Sequence, residues 1–394
     1  MTKRYPAFVL SVAAALVLVV GVPSAALAAT VAETPVTGSW GPYKACSNQP
    51  GANCAAVYAM TEINGTVYIG GDFTSLKDPN SGATKTIKSL AALDSNGQPV
   101  AGFTGHTFNG AIRALATDGN TVFVGGGFTK VDGASQAHLA AFTASGGRVS
   151  YPSVNQTVRA LLVSGGWLYT GATTVKKLSP STGAAAAGFV PPAFTSTNTA
   201  APYVWSLAAG GSRLYVGGHF DAPRRSIVAL DTATGSVDAS FAPTLSVSDP
   251  NDPLQGIDDM AVTGDSVFAA QAGHSNRAYR YTLAGVKNWM VSPDGDVQTV
   301  ELDGTSVYLG GHFTCWTKCS TTPVLRDHIA AVSYNNGTLD STWAPEMGAS
   351  YTPYYYGVWV LRKVGTQQLW AGGVFNSVTI NGANLPARKV AIFQ

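Results

Sequence analysis

The stretch Leu214-Tyr-Val-Gly-Gly-His-Phe220 decides the fold, because it recurs along the chain. It returns as Val67-Tyr-Ile-Gly-Gly-Asp-Phe73, Val122-Phe-Val-Gly-Gly-Gly-Phe128, Val307-Tyr-Leu-Gly-Gly-His-Phe313 and Leu369-Trp-Ala-Gly-Gly-Val-Phe375. Two degenerate copies, Leu168-Tyr-Thr-Gly171 and Val267-Phe-Ala-Ala270, bring the total to seven, spaced 40 to 62 residues apart. Each copy follows an alternating apolar stretch and a tight turn such as Asn64-Gly65, Gly119-Asn120, Gly210-Gly211 or Asp303-Gly304. Alternation on both sides of a glycine turn is the signature of a β-hairpin. The Gly-Gly pair ending the second strand implies close backbone approach or a bend.

Each unit has a second half. Leu90-Ala-Ala-Leu-Asp94 leads through Ser95-Asn-Gly97 to Phe103, Ile227-Val-Ala-Leu-Asp231 through Thr232-Ala-Thr-Gly235 to Phe241, and Ile329-Ala-Ala-Val332 through Asn335-Asn-Gly337 to Trp343. Asp or Asn before Gly is turn chemistry, since Gly takes positive φ at no steric cost. Four antiparallel strands in a unit of this length make a propeller blade. The last unit stops at Val390-Ala-Ile-Phe-Gln394, a third strand. Val36-Thr-Gly-Ser-Trp-Gly-Pro42 resembles the fourth-strand stretch Gly337-Thr-Leu-Asp-Ser-Thr-Trp-Ala-Pro345. The expected fold is therefore all-β: a seven-bladed β-propeller of four-stranded antiparallel blades, its last blade closed by the N-terminal strand, which removes exposed sheet edges.

With Leu-Tyr-Val-Gly-Gly-x-Phe followed by Ala-Leu-Asp-x-x-x-Gly, the chain resembles the delta-60-repeat propellers of secreted bacterial proteins. The second half of the unit is also similar to the PQQ-like repeat of quinoprotein propellers, with Trp40 and Trp343 at the aromatic position and Phe103, Phe189 and Phe241 elsewhere. The resemblance implies the fold over nearly the whole chain and carries no single activity. The adjacent Cys-Cys pair of some quinoprotein dehydrogenases is missing, and the tryptophan pattern is incomplete, so no cofactor is expected.

The start reads as a secretory signal: Met1-Thr-Lys-Arg4, an apolar run from Ala7 to Val22, and a small-residue exit at Ala26-Leu-Ala28. Residues 1–28 are expected to be removed, leaving 29–394 as one propeller domain, secreted or associated with the cell wall, with no membrane span and as a monomer. Without Lys3 and Arg4, the 24 basic residues become 22 against 22 acidic ones, a balance that excludes general nucleic-acid binding. In an oxidising compartment the close pairs Cys46/Cys54 and Cys315/Cys319 are expected as disulfides. Zinc at Cys315, Cys319, His312 and His328 is the alternative.

Short turns put one face of the disc apart from the other, where the connections between strands two and three and between blades are expected to be long and to carry binding residues. Three groups fall there. Tyr354, Tyr355, Tyr356 and Trp359, with Tyr203 and Trp205 in another blade, suit the apolar faces of sugar rings or inter-blade packing. Asp72, His219 and His312 follow Gly-Gly in three blades; if they converge at the channel mouth they can act as acid and base or bind a metal, and otherwise they hold loop backbone. Arg225 and Arg326, with Lys88 and Arg388, precede the third strand and suit an anionic glycan or a neighbouring carbonyl. Asp249, Asp252, Asp258 and Asp259 offer oxygen ligands for Ca²⁺ without EF-hand spacing. No nucleophile elbow, His-Glu-x-x-His, phosphate loop or Cys-x-x-Cys is present. The composition and loops point to a binding protein for an extracellular glycan or surface protein; the alternative is an exported glycan hydrolase or lyase, metal-assisted or not, using Asp72, His219, His312 and an arginine. N-terminal sequencing of the exported protein should read Ala29-Thr-Val31; a start at Met1 would show that the leader is retained.

Overall fold

The computed structural model describes residues 31–46, 54–197, 202–246, 255–273, 275–316, 324–348 and 356–394. Among these the chain is all-β, without a helix. Seven antiparallel sheets, numbered 1–7 in chain order, each begin with a hairpin and add the unit's third strand at its outer side. Their first strands are Ala56–Ile63, Ile112–Thr117, Ala160–Ser164, Tyr203–Gly210, Gly256–Val262, Val297–Asp303 and Gly357–Val364. Each first strand touches the next in that order, and Gly357–Val364 also touches Ala56–Ile63. The arrangement is propeller-like.

The Gly-Gly pairs explain how the sheets meet. The first glycine receives an aliphatic side chain from the following sheet. A Cβ at Gly70 would stand 2.5 Å from Ile112 Cγ2, one at Gly125 2.6 Å from Val158 Cγ1, and one at Gly310 2.6 Å from Val358 Cγ1. At Gly372 the incoming side chain is Val57 of sheet 1, again too close at 2.8 Å. Ala270 holds this position in sheet 5, next to Val297 in the same apolar cluster. The second glycine faces inward to its own sheet: a Cβ at Gly71 or Gly311 would collide with the carbonyl oxygen of Ala56 or Asp296. Those carbonyls stand there because the first strand carries an extra residue. The register skips one position between Val57 and Ala59, and likewise in sheets 2, 4, 5, 6 and 7. Each is a bulge at the start of the innermost strand.

The long connections are pinched at their base. The Gly71 N–H donates to Ser89 O and the Ser89 N–H to Phe73 O; Gly311, His328 and Phe313 repeat the pattern, as do Gly126/His138/Phe128, Gly218/Ser226/Phe220 and Gly373/Lys389/Phe375. The corner residues Ser89, His138, Ser226, His328 and Lys389 all take positive φ. A loop closed this way can lengthen at little entropic cost. It spans residues 221–225 in sheet 4 but 74–88 in sheet 1, where it forms a hairpin of Ser75–Lys77 with Thr84–Lys85.

Three expectations need correction. Among the described residues, only sheets 2 and 5 have a fourth strand, Arg148–Val149 and Lys287–Val291. In sheets 1, 3, 4 and 6 it shrinks to a single bridge, Leu93 with Pro99, Leu178 with Ala185, Leu230 with Val237 and Val332 with Leu339. Asp238 and Asp340 show why: each carboxylate accepts from the N–H two residues on, Ser240 at 2.9 Å and Thr342 at 2.8 Å, and turns the chain out of the ladder. The connections between strands two and three are not all long; sheet 3 passes directly from Gly171 to Val175 and sheet 5 from Ala272 to Arg277. At the N-terminus, Pro35 bridges Phe393 and the Val36 N–H donates to Ile392 O at 2.7 Å, but Gly41–Tyr43 leaves to pair with Ser75–Lys77.

Cys46 and Cys54 form a disulfide with Cα atoms 5.1 Å apart. Cys315 is also disulfide-bonded, which leaves it no thiolate for zinc; Cys319 lies outside the described residues. None of the described residues belongs to a helix long and apolar enough to cross a membrane.

Filling the notch should be costly. Gly70→Val overpacks it against Ile112 and should destabilise by about 1–3 kcal/mol. Gly264→Ala, where an added Cβ meets nothing within 4 Å, is the control for chemical unfolding. Equal midpoints for the two variants would refute the account.

Candidate functional site

The bulges give the site its lining. An extra residue in a strand re-aims its side chain, and here the re-aimed residues are Tyr58, Arg113, Trp205, Asp258, Gln298 and Trp359. Arg159 holds the matching place in sheet 3, its N–H donating to Gly171 O at 2.8 Å just before the strand begins. Six of these seven residues, all but Arg113, line one cavity of about 400 Å³ between the first strands. Deeper, the same cavity is lined by Met60, Leu115, Leu161, Leu207, Met260, Val300 and Leu361. The cavity thus has a polar and aromatic mouth over a throat of aliphatic side chains in which Glu301 and Arg362 also stand.

Neighbours in the mouth touch. Tyr58 meets Trp359 edge to face at 5.7 Å. The Arg113 guanidinium lies 4.2 Å over the Tyr58 ring, and that of Arg159 lies 4.4 Å over Tyr203 and 4.7 Å over Trp205. Trp205 in turn packs on His219 at 5.5 Å. Cationic and aromatic groups therefore fill the side formed by sheets 1–4, while Asp258 brings negative charge to sheet 5.

The three polar residues after Gly-Gly all reach the rim, each with its own partner. Asp72 is paired with Lys44 Nζ at 3.0 Å. His219 Nε2 lies 3.2 Å from Asp258 Oδ1. His312 Nδ1 lies 3.7 Å from Asp296 Oδ2 and its ring meets Trp359 edge-on at 5.3 Å. Asp72 stands apart from the histidines, and among the described residues no three His, Cys, Asp or Glu side chains are grouped to hold a metal. Burial raises the Asp258 carboxyl above its usual range, and the His219 contact opposes that rise.

Asp259, next in sequence, does a different job. Its carboxylate accepts from Thr299 Oγ1 at 2.8 Å and from the Val300 and Met260 N–H groups at 3.0 and 2.8 Å. Thr299 Oγ1 accepts from Leu361 N at 3.1 Å, so one carboxylate links sheets 5, 6 and 7. Burial pushes its pKa up to about 6, and that of Glu301, beside Arg362, to about 7. Of the acidic set considered for Ca²⁺, Asp258 and Asp259 are engaged as described, and Asp249 and Asp252 lie outside the described residues.

The remaining candidates scatter. Tyr354 and Tyr355 lie outside the described residues. Tyr356 is half-buried against His328, ring centroids 4.3 Å apart. Arg225 pairs with Asp221 at 3.3 Å on the rim. Arg326 is 7% exposed and donates to Leu325 O and Asp340 O at 2.7 and 3.0 Å, so it braces backbone inside sheet 6 and does not face a ligand. Sequence reasoning missed Tyr58, Arg113, Arg159 and Gln298. Each follows a buried Val or Ile at the head of a first strand, as Trp205, Asp258 and Trp359 do; aligning first strands exposes that column.

The fold is shared with solved β-propellers. The chain is similar to the WD40 β-propeller domain of Doa1, at 11% identity over 91% of this chain and 97% of that one, with a TM-score of 0.54. It is similar to U3-55K at 12% identity over 91% of this chain and 99% of that one, also at 0.54. At such identity the likeness is one of fold. No family model matches the sequence, and no curated protein does.

His328 gives the rim a pH response. Burial lowers its pKa to about 4, from 6.5 in the free side chain. The unfolded chain then binds a proton that the folded one refuses, so stability is lost as pH falls from about 6.5 to about 4, by up to about 3 kcal/mol. His328→Asn, which tolerates the positive φ and does not titrate, should flatten that limb of the stability–pH curve; an unchanged slope would assign it elsewhere.

Proposed function

We propose that the seven sheets are the blades of one closed ring, with the N-terminal segment beside Phe393 supplying the outer edge of the last blade. The protein works as an exported binding protein that recognises an extracellular glycan at the mouth of its central cavity. The observation that carries this reading is the composition of the bulge positions. Tyr58, Trp205 and Trp359 offer aromatic surfaces, and Arg113, Arg159, Asp258 and Gln298 offer planar hydrogen-bonding groups around the same opening. Sugars present apolar ring faces and hydroxyl edges, and aromatic side chains with convergent polar groups match both. Disulfides and the leader-like start support a location outside the cytoplasm. The mouth residues touch across neighbouring sheets, but the Val and Ile one position earlier already fill the notches between those sheets.

A second reading has one observation in its favour: the His219–Asp258 pair, with Asp296 and His312 nearby, has the make-up of an acid–base centre. In that case the exported protein hydrolyses or eliminates across a glycosidic bond. The mouth composition favours binding, because of the other buried carboxyls of the cavity Asp259 is already committed to three donors and Glu301 stands beside Arg362.

Trp205→Ala combined with Trp359→Ala should weaken capture on immobilised polysaccharides at least about tenfold, as loss of two aromatic anchors does, with the unfolding midpoint retained. Polysaccharide cleavage lost in His219→Ala would instead establish the enzyme.

A further inference from the structure

We infer that Arg113 and Arg159 form an anion subsite in the mouth, and that the glycan recognised there carries a carboxylate on a ring, as a uronic acid does. The inference rests on the glycan reading above and adds the charge of the ligand.

Both guanidinium groups lie flat on aromatic rings, Arg113 on Tyr58 and Arg159 on Tyr203 and Trp205. Stacking fixes the plane of a guanidinium, and although Tyr58 and Tyr203 each also engage their arginine by a side-chain hydrogen bond, a planar fork with several N–H groups has donors beyond that one. No carboxylate takes that place: among the described residues the ion pairs made by arginines are those of Arg213, Arg225 and Arg280. Sheets 2 and 3 are adjacent, so two like charges stand side by side. Burial and the Arg113 charge together lower the proton affinity of Arg159. Holding such a pair without a counter-charge is unfavourable, and a bound anion relieves it.

A second, independent feature points the same way. Arg159 Nε and Trp205 Nε1 are both buried and neither has a hydrogen-bond partner. A buried donor without a partner carries its full desolvation penalty, and a rotation of either side chain, both of which line the cavity, lets an acceptor relieve it. A carboxylate supplies acceptors for both and pairs with a planar guanidinium fork. Across the mouth, Asp258 and Asp296 repel the same group, which fixes the ligand's orientation: acid towards sheets 2 and 3, hydroxyls towards sheets 5 and 6.

The test is calorimetric titration of the full chain, exported and processed as it is made, with hexagalacturonate, with maltohexaose and with sodium sulfate. Hexagalacturonate should bind at least about tenfold more tightly than maltohexaose and lose that advantage as salt rises. Arg113→Gln with Arg159→Gln should bring the acidic sugar down to the level of the neutral one. Lys287→Gln, exposed and remote, should change nothing. Should the double variant unfold, Arg159→Lys, which keeps charge but loses the fork, should still weaken the acidic sugar alone. Equal binding of both sugars, or full affinity in the arginine variants, overturns the anion subsite and leaves the glycan reading standing. Sulfate that raises the unfolding midpoint of the native protein but not of the arginine variants, with no sugar bound, supports the subsite and removes the glycan reading.

Discussion

The structure depends on one steric arrangement: an aliphatic side chain seated where the neighbouring sheet lacks a Cβ. Val57, Ile112, Val158, Val204, Ile257, Val297 and Val358 are all buried at the heads of the first strands or directly before them. Six of them occupy the space opposite a glycine of the preceding sheet, and Val297 packs near Ala270. Full burial of such a side chain contributes about 1.5–3 kcal/mol each relative to exposure. The contact also sets distance and angle, because a Cβ at the glycine of any of those six notches would collide with the incoming side chain, while sheet 5 accommodates the single methyl of Ala270. The contact of Gly372 with Val57 joins the last sheet to the first by the same device that joins the others.

The second glycine of each pair leaves room for the bulge that builds the site, and sheet 5 forms the same bulge opposite Gln271. Opposite the glycine, the first strand takes in an extra residue whose flanking carbonyl occupies the space a Cβ would fill. The strand's alternation would otherwise send every second side chain between sheets. The bulge breaks that alternation once in six of the seven sheets, at one level. The side chain it releases no longer fills a notch, and its identity varies among Tyr, Arg, Trp, Asp and Gln while the residue before it stays Val or Ile. Notch filling and mouth lining are thereby separated by a single position along the chain.

This geometry explains what was legible in the sequence. The seven units, their hairpin turns and the close-approach role of Gly-Gly were readable because each depends on local chemistry repeated many times. The mouth was only partly readable. A bulge leaves no trace in a period-two pattern, so Tyr58 and Arg113 read as ordinary strand residues, while Trp205 and Trp359 drew attention only as aromatics. Asp72, His219 and His312 are equivalent positions in the repeat, but their partners Lys44, Asp258 and Asp296 come from connections or neighbouring sheets and cannot be assigned from spacing. Arg326 shares with Arg225 the neighbourhood of a left-handed corner, yet one is buried and the other pairs on the rim. Neighbouring carbonyls decide that difference, and the repeat does not encode them.

The buried acids show how far the chemistry of the cavity is committed to structure. Asp258 and Asp259 are adjacent, and burial raises both. Raised carboxyls in a cleft are a mark of catalytic sites, but buried networks shift acids in the same direction. The bulge separates the two cases. It turns Asp258 to the mouth beside His219, and it leaves Asp259 in the ladder, where donors from sheets 5 and 6 surround it and Thr299 carries the connection on to sheet 7. Sheet 6 adds Glu301 lower in the cavity, beside Arg362 of sheet 7. Sheets 5–7 thus supplement steric fit with polar cross-links, and among these carboxyls Asp258 is the one turned to the mouth. On the opposite side Arg113 and Arg159 join neighbouring sheets by stacking on Tyr58, Tyr203 and Trp205, with no carboxylate paired to them among the described residues. The mouth is therefore asymmetric by construction: acids held by hydrogen bonds on one side, bases held by aromatic rings on the other.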